Sequence, residues 1–267
     1  MSEPTRSDLP ERTSADGAER ASLDRTARAL DDIARQARPR VPGDGADPDI
    51  PVAATVVVLR DGPEGPEVLM LERPDRGSFA GAWVFPGGKV DPEDRRAEDE
   101  PEEDVARRAG VRETREESGL DVDPDALWTI SVWDPPPGIS LRIRTWFFAG
   151  RAGEGEIVLS PDEAVAAEWV DPAGLLARHG RGEVTLYPPT WVTLHTLAGQ
   201  PDVDAVLATL RLAGFRSFET VARRGEAGPV LLWQEDAEYD LDARDEASGA
   251  RHRLQIGALP WIYTRTD

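Results

Sequence analysis

The sequence predicts a layered α/β domain. Three observations carry this: a run of apolar residues of buried-strand type from Val52 to Leu59, further strand and helix patterns in mixed order, and Gly/Pro-rich turns between them. Ala53-Ala54-Thr55-Val56-Val57-Val58-Leu59 ends at the turn Asp61-Gly62-Pro63, and Val68-Leu69-Met70-Leu71 is its natural partner in a hairpin. Trp83-Val84-Phe85 leads into Pro86-Gly87-Gly88, a turn that needs glycine backbone, and then into the acidic run Asp91 to Asp104. Pro101, followed by Glu102, Glu103 and Asp104, starts a helix whose dipole favours these anions, and Gly119 ends it. Trp128 to Trp133 and Arg142 to Phe148 are two further strands around the rigid turn Asp134-Pro135-Pro136-Pro137-Gly138. Helices are expected over Pro172 to His179, Pro189 to Leu197 and Val203 to Leu212. Beyond Arg216 the pattern weakens to strand-like pieces at Val230 to Trp233 and near His252 to Tyr263.

With 267 residues and 39% hydrophobic content, the chain can bury one substantial core. A net charge of -20 repels nucleic-acid phosphates and anionic membranes, and suits an anionic substrate that arrives with cations. The absence of cysteine excludes disulfides, thiolate nucleophiles and cysteine-ligated zinc. Met1 to Pro10 has no apolar signal region and no stretch is apolar over a membrane's width, so the expectation is a cytoplasmic protein. Residues 1 to 50 are expected as a disordered arm, with a weak helical pattern (Leu23, Ala27, Leu30, Ile33) inside Ala21 to Gln36.

The chemistry concentrates on the helix ending at Gly119. Glu113, Glu116 and Glu117 are spaced i, i+3, i+4, which puts three mutually repelling carboxylates on one face. A hard divalent cation, Mg²⁺ or Mn²⁺, relieves such repulsion and keeps sites free for water and phosphate oxygens. A solvated face laced with Arg112 and Arg115 is the plainer reading of a bare triplet. The wider context points to metal binding. Arg112-Glu113-Thr114-Arg115-Glu116-Glu117-Ser118-Gly119-Leu120 resembles the second half of the Nudix box, and Phe85-Pro86-Gly87-Gly88-Lys89-Val90-Asp91 resembles the approach to its first half.

The resemblance runs from about Val52 to Leu197 and implies a Nudix-type α/β/α sandwich with a mixed sheet. The corresponding division is an arm over 1–50, a Nudix hydrolase domain over 51–215 and a C-terminal extension over 216–267. Three departures stand out. The box's first glutamate, six residues after the second glycine, is Asp94 here. The arginine eight positions further on would be at Glu102 but is Arg112, so ten positions are inserted; counting back from Arg112 gives Asp104 as the other candidate. Thr114 replaces an aliphatic residue, and Gly110 stands where a small helix former is usual. The insertion, with Arg73, Gly81 and the Phe-Pro-Gly-Gly run, is similar to a subgroup that includes peroxisomal coenzyme A diphosphatases.

The resemblance implies Glu113, Glu116, Glu117 and the Gly87 carbonyl as metal ligands, Arg112 as the group orienting a carboxylate, and a base from a later loop, for which Glu163 is the candidate. Asp162-Glu163 could equally begin a short helix. Arg73, Trp133, Arg142 and Arg144 are the substrate-binding candidates, through stacking on a base or pairing with phosphate. His179, His195 and His252 form no ligand pair, and no Gly-Lys-Ser/Thr follows Gly87-Gly88, which argues against a P-loop. The implied activity is hydrolysis of a pyrophosphate linkage in a nucleoside diphosphate derivative. Coenzyme A is the first substrate candidate, with ADP-ribose and dinucleotides open. A non-catalytic nucleotide sensor of the same fold is the rival, and a homodimer through the extension is a further candidate.

Overall fold

The computed structural model describes residues 28–41, 43–77, 79–153, 155–160, 162–240 and 249–266. Strand β1 (Val52–Gly62) organises it. Its side chains alternate between two cores: Val56 and Val58 face one with Ala106, Ala109 and Phe148, while Val57 and Leu59 face the other with Leu175, Leu194 and Val206. A strand buried on both faces has to be apolar throughout, which explains its continuous run of Val and Leu. β2 (Gly65–Glu72) folds back on it as the expected hairpin, with Leu59 opposite Val68.

The strands β3 (Trp83–Val84), β4 (Gly87–Lys89), β5 (Trp128–Asp134), β6 (Arg144–Arg151), β7 (Ala166–Val170) and β8 (Arg216–Glu219) complete a mixed eight-stranded sheet in the order β3-β2-β1-β6-β5-β8, with β4 on β1 and β7 on β2. β6 runs parallel to β1 and β8 parallel to β5; the other pairings are antiparallel. Helix α1 (Glu102–Ser118) lies on one face against β1, β4 and β6. Helices α2 (Pro172–Gly180), α3 (Pro188–Leu197) and α4 (Val203–Ala213) cover the other, giving the mixed α/β sandwich that the element order predicts.

After β8 the chain forms a second, antiparallel sheet from β9 (Val221–Gly225), β10 (Gly228–Leu232), β11 (His252–Gln255) and β12 (Ile262–Arg265). Trp233, Leu254 and Trp261 from this part share one apolar cluster with Trp133 and Trp191. Of the first fifty residues, 1–27 lie outside the described residues, as does the first part of the weak helical pattern. Residues 28–36 are helical, with Leu30 in the main core. Arg40 then reaches the end of β5, donating to the Asp134 carboxylate at 3.0 Å and to the Asp134 and Pro135 carbonyls. Among the described residues no helix is long and apolar enough to cross a membrane.

Candidate active site

Helix α1 presents the acidic triplet. Pro101 caps its start and Gly119, at φ 74, closes it by donating from its N–H to the Arg115 carbonyl. The two atypical residues of this helix have packing roles. A Cβ on Gly110 would stand 3.0 Å from Val56 Cγ2, so glycine lets the helix approach β1 closely. The buried Thr114 hydroxyl donates to the Gly110 carbonyl at 2.7 Å, which satisfies it without a partner outside the helix. Glu113 and Glu117 turn inward toward β4, whereas the Glu116 side chain is 52% exposed.

β4 brings the glycine turn against these carboxylates. Gly87, at φ 156, pairs with Thr55 so closely that a Cβ would sit 2.3 Å from the Ala54 carbonyl oxygen. A Cβ on Gly88 would fall 2.4 Å from the Glu113 carboxyl carbon. The Thr55 hydroxyl donates to the Pro86 carbonyl at 2.7 Å and thereby fixes the turn. Thr55 was not among the sequence candidates, although a lone hydroxyl inside the apolar run from Ala53 to Leu59 was a usable signal.

Asp94 and Asp104 sit in different surroundings. A short 3-10 turn, Pro92–Asp94, buries Asp94 to 6% exposure, and Arg112 holds its carboxylate through Nε at 3.2 Å and Nη2 at 2.9 Å. Arg112 also donates to Glu113 at 2.9 Å and to Glu116 at 3.0 Å. It therefore joins the turn to two carboxylates of the triplet through charge-assisted hydrogen bonds. Asp104 is exposed in the first turn of α1. The insertion thus follows Asp94, and α1 returns Arg112 to it.

Glu117 is 2% exposed and is engaged from two sides: the Gly87 amide donates to Oε2 at 2.8 Å and Arg73 Nη1 to Oε1 at 2.9 Å. Burial pushes its carboxyl up to about 7, against the opposing pull of the Gly87 amide and Arg73. Burial also raises Glu113, with Arg112 pulling it back. The negative charge of Glu163, from the loop before β7, adds to the upward push on both. Glu163 Oε2 is buried and has no hydrogen-bond partner. A buried carboxylate oxygen left open within electrostatic range of two other carboxylates is chemistry that a hard divalent cation would satisfy. Among the described residues no three such side chains stand as a ready-made ligand group, consistent with Glu117 being occupied by Arg73 and Gly87.

The other sequence candidates lie elsewhere. Trp133 is 4% exposed, stacked on Phe218 at 3.8 Å with Trp233 edge-on, so it is a core residue and no base can reach its face. Arg142 pairs with Asp134 at 3.3 Å and Asp47 at 3.5 Å; Arg144 pairs with Glu102 at 3.2 Å and donates to the Gly45 carbonyl. Both arginines thus fasten the N-terminal segment and the start of α1 rather than face the carboxylate cluster. The strand expected from Arg142 begins only at Arg144. Arg73 does reach the cluster, through Glu117. His179 and His252 are buried, and His195 is exposed with its ring stacked on Trp191.

The NUDIX domain family matches residues 49–188. The crystal structure of a NUDIX hydrolase from Alicyclobacillus acidocaldarius is similar at 28% identity and a TM-score of 0.52, over 60% of this chain and 96% of that one. A MutT NUDIX hydrolase from Burkholderia pseudomallei is 26% identical over 55% of this chain and 97% of that one, with a TM-score of 0.42. CTP pyrophosphohydrolase from Escherichia coli (strain K12) is 38% identical over 65 residues, 24% of this chain; the match spans only 38% of that curated relative's length. With more than half of its residues matched and both halves of the box in one cluster, the chain belongs to the Nudix family.

Proposed function

We propose that this chain is a divalent-metal-dependent pyrophosphohydrolase acting on a nucleoside diphosphate derivative. One observation carries the reading: Glu163 Oε2, buried and without a partner, stands with Glu113 and Glu117 in a single electrostatic cluster. Glu113, Glu116 and Glu117, with the Gly87 carbonyl, would hold Mg²⁺ or Mn²⁺. When bound, such an ion lowers the pKa of a water and neutralises charge on phosphoryl oxygens. Arg112 keeps Glu113 and Glu116 oriented while it is itself anchored by Asp94. Glu163 accepts the proton of the attacking water, the role that its open oxygen suits. Arg73, about one-third exposed, can exchange Glu117 for a phosphate oxygen of the substrate.

Coenzyme A or an acyl derivative is the first substrate candidate, supported by Arg73, Gly81, the Phe85-Pro86-Gly87-Gly88 run and the insertion after Asp94. The reading places the reaction in the cytoplasm, and sedimentation equilibrium tests the homodimer. A nucleotide sensor without turnover is the second reading, favoured by the Arg73 and Gly87 contacts that occupy Glu117. The decisive experiment measures product release from coenzyme A, ADP-ribose, NADH, dinucleoside polyphosphates and nucleoside triphosphates with Mg²⁺ or Mn²⁺, for wild type and Glu117→Gln. Cleavage lost in the variant supports the hydrolase. Nucleotide binding without cleavage in the wild type replaces it with the sensor.

A further inference from the structure

Phe79 is the one non-glycine residue among the described residues with left-handed backbone, at φ 62. A bulky side chain in that region is strained, and such strain persists where the surrounding structure holds it, often at ligand-binding loops. The ring is also 37% exposed, so burial does not account for its presence. Its aromatic contact is an edge-on one with Tyr187, centroids 4.7 Å apart at 89°, which leaves ring surface open.

The loop that carries Phe79 is held against the carboxylate cluster. Its base is closed by Arg73 N–H to the Ala82 carbonyl at 2.9 Å and by Gly81 N–H to the Arg73 carbonyl at 3.2 Å, and Ala82 N–H donates to the Phe79 carbonyl at 3.0 Å. The Arg73 side chain reaches Glu117, and Arg76 reaches Asp162, the neighbour of Glu163, at 3.2 Å. Gly77 and Gly81, both at positive φ, give the loop its turns on either side of Phe79. The aromatic side chain therefore projects from a loop whose base is tied to Glu117 and whose Arg76 pairs at the surface with Asp162, next in sequence to Glu163.

We infer that Phe79, backed by Tyr187, is the surface on which the nucleobase of the substrate stacks. This rests on the hydrolase reading for its substrate class and extends it to the base. A chain with a net charge of -20 gains little from long-range attraction of an anionic nucleotide, whereas an aromatic face binds any base through its π surface. Trp133, the residue that the sequence suggests for this task, is sealed in the core.

The test uses Phe79→Asn, Phe79→Ala and Phe79→Trp in the full chain. Asparagine tolerates left-handed backbone, so Phe79→Asn separates the ring from the fold. Its unfolding midpoint is expected to equal or exceed wild type. Its KM for a cleaved nucleotide should rise about 10- to 100-fold, the range that stacking carries per base, with kcat nearly unchanged. Phe79→Trp should keep the wild-type KM. Equilibrium binding of ADP with Mg²⁺ is measured in parallel. Turnover with an unchanged KM in Phe79→Asn overturns this inference and leaves the hydrolase standing. ADP binding without turnover, weakened in Phe79→Asn, overturns the hydrolase and leaves the inference standing. Neither turnover nor ADP binding in the wild type overturns both.

Discussion

Arg73 Nη1 lies 2.9 Å from Glu117 Oε1 while the Gly87 amide donates to the other carboxylate oxygen at 2.8 Å. The most deeply buried carboxylate of α1 is therefore fixed by one residue of the loop before β3 and one of β4. Glu117→Gln keeps an oxygen for the Gly87 amide but removes the negative charge. Turnover should fall by about a hundredfold or more, the scale seen when one preorganised charge-stabilising group is removed. The unfolding midpoint should hold or rise near neutral pH, because a buried charge is relieved. Steady-state kinetics and urea unfolding of the same preparation check both. A variant that loses activity only in proportion to lost fold would make Glu117 a packing residue.

Asp94 and Asp104 offer a clean contrast. Asp94 is buried and holds Arg112, which in turn holds Glu113 and Glu116, so Asp94→Ala leaves a half-buried guanidinium short of its anchor. Breaking such a pair should cost about 2–3 kcal/mol after discounting for the partial exposure of Arg112. Activity should fall with it. Asp104→Ala, at an exposed position, should stay within about 0.5 kcal/mol of wild type. Equal effects from the two substitutions would remove Asp94 from the site.

Adjacent glycines should fail in different ways. At Gly88 the backbone is ordinary and the three atoms nearest to an added Cβ are Glu113 carboxyl atoms at 2.4–2.6 Å, at the end of a flexible side chain. Gly88→Ala should therefore fold, displace Glu113 and lower kcat. At Gly87 the added Cβ would meet the Ala54 carbonyl oxygen at 2.3 Å and Thr55 Cα at 2.7 Å in a backbone at φ 156. That clash cannot be relieved by a rotamer change, so Gly87→Ala should unpair β4 from β1 and lower the unfolding midpoint by several degrees, on a scale of about 2–3 kcal/mol. Circular-dichroism melts beside kinetics distinguish the two.

What the sequence revealed follows from how local each signal was. The valine run of β1, the β1–β2 hairpin, the α1 boundaries at Pro101 and Gly119 and the i, i+3, i+4 carboxylates are all properties of short windows, although the strand runs on through Asp61 and Gly62 and the turn falls just after them. Trp133 was misleading because alternation tells which residues share a face but not what covers it. Here the cover is Phe218 and Trp233, more than eighty residues further along the chain. Arg142 and Arg144 find Asp134, Asp47 and Glu102, partners that no spacing rule joins. The short strands β7 and β9, five residues each with part-exposed patterns, lack the run length by which a buried strand is recognised.

Two buried groups should oppose each other as pH changes. Glu117 moves from its ordinary 4.5 up to about 7, so the folded chain keeps a proton that the unfolded chain releases above 4.5. Its contribution to stability therefore falls as pH rises from 4.5 to about 7. His179, buried against Trp261 with Nδ1 unpartnered, moves from 6.5 down to about 4. The unfolded chain takes up that proton below 6.5 while the folded chain does not, so this contribution falls as pH drops from 6.5 to about 4. Each difference is worth about 3 kcal/mol, and over the shared window the slopes have opposite sign. Relative to wild type, Glu117→Gln should steepen the rise of stability with pH, and His179→Leu should tilt the profile downward toward neutrality. Adding Mg²⁺ should stabilise the wild type most above pH 7, where Glu117 is ionised, and Glu117→Gln least. Urea unfolding in metal-free buffer across this range, repeated with Mg²⁺, measures all three. Parallel profiles for wild type and Glu117→Gln would mean that Glu117 titrates no differently in the folded chain than in the unfolded one.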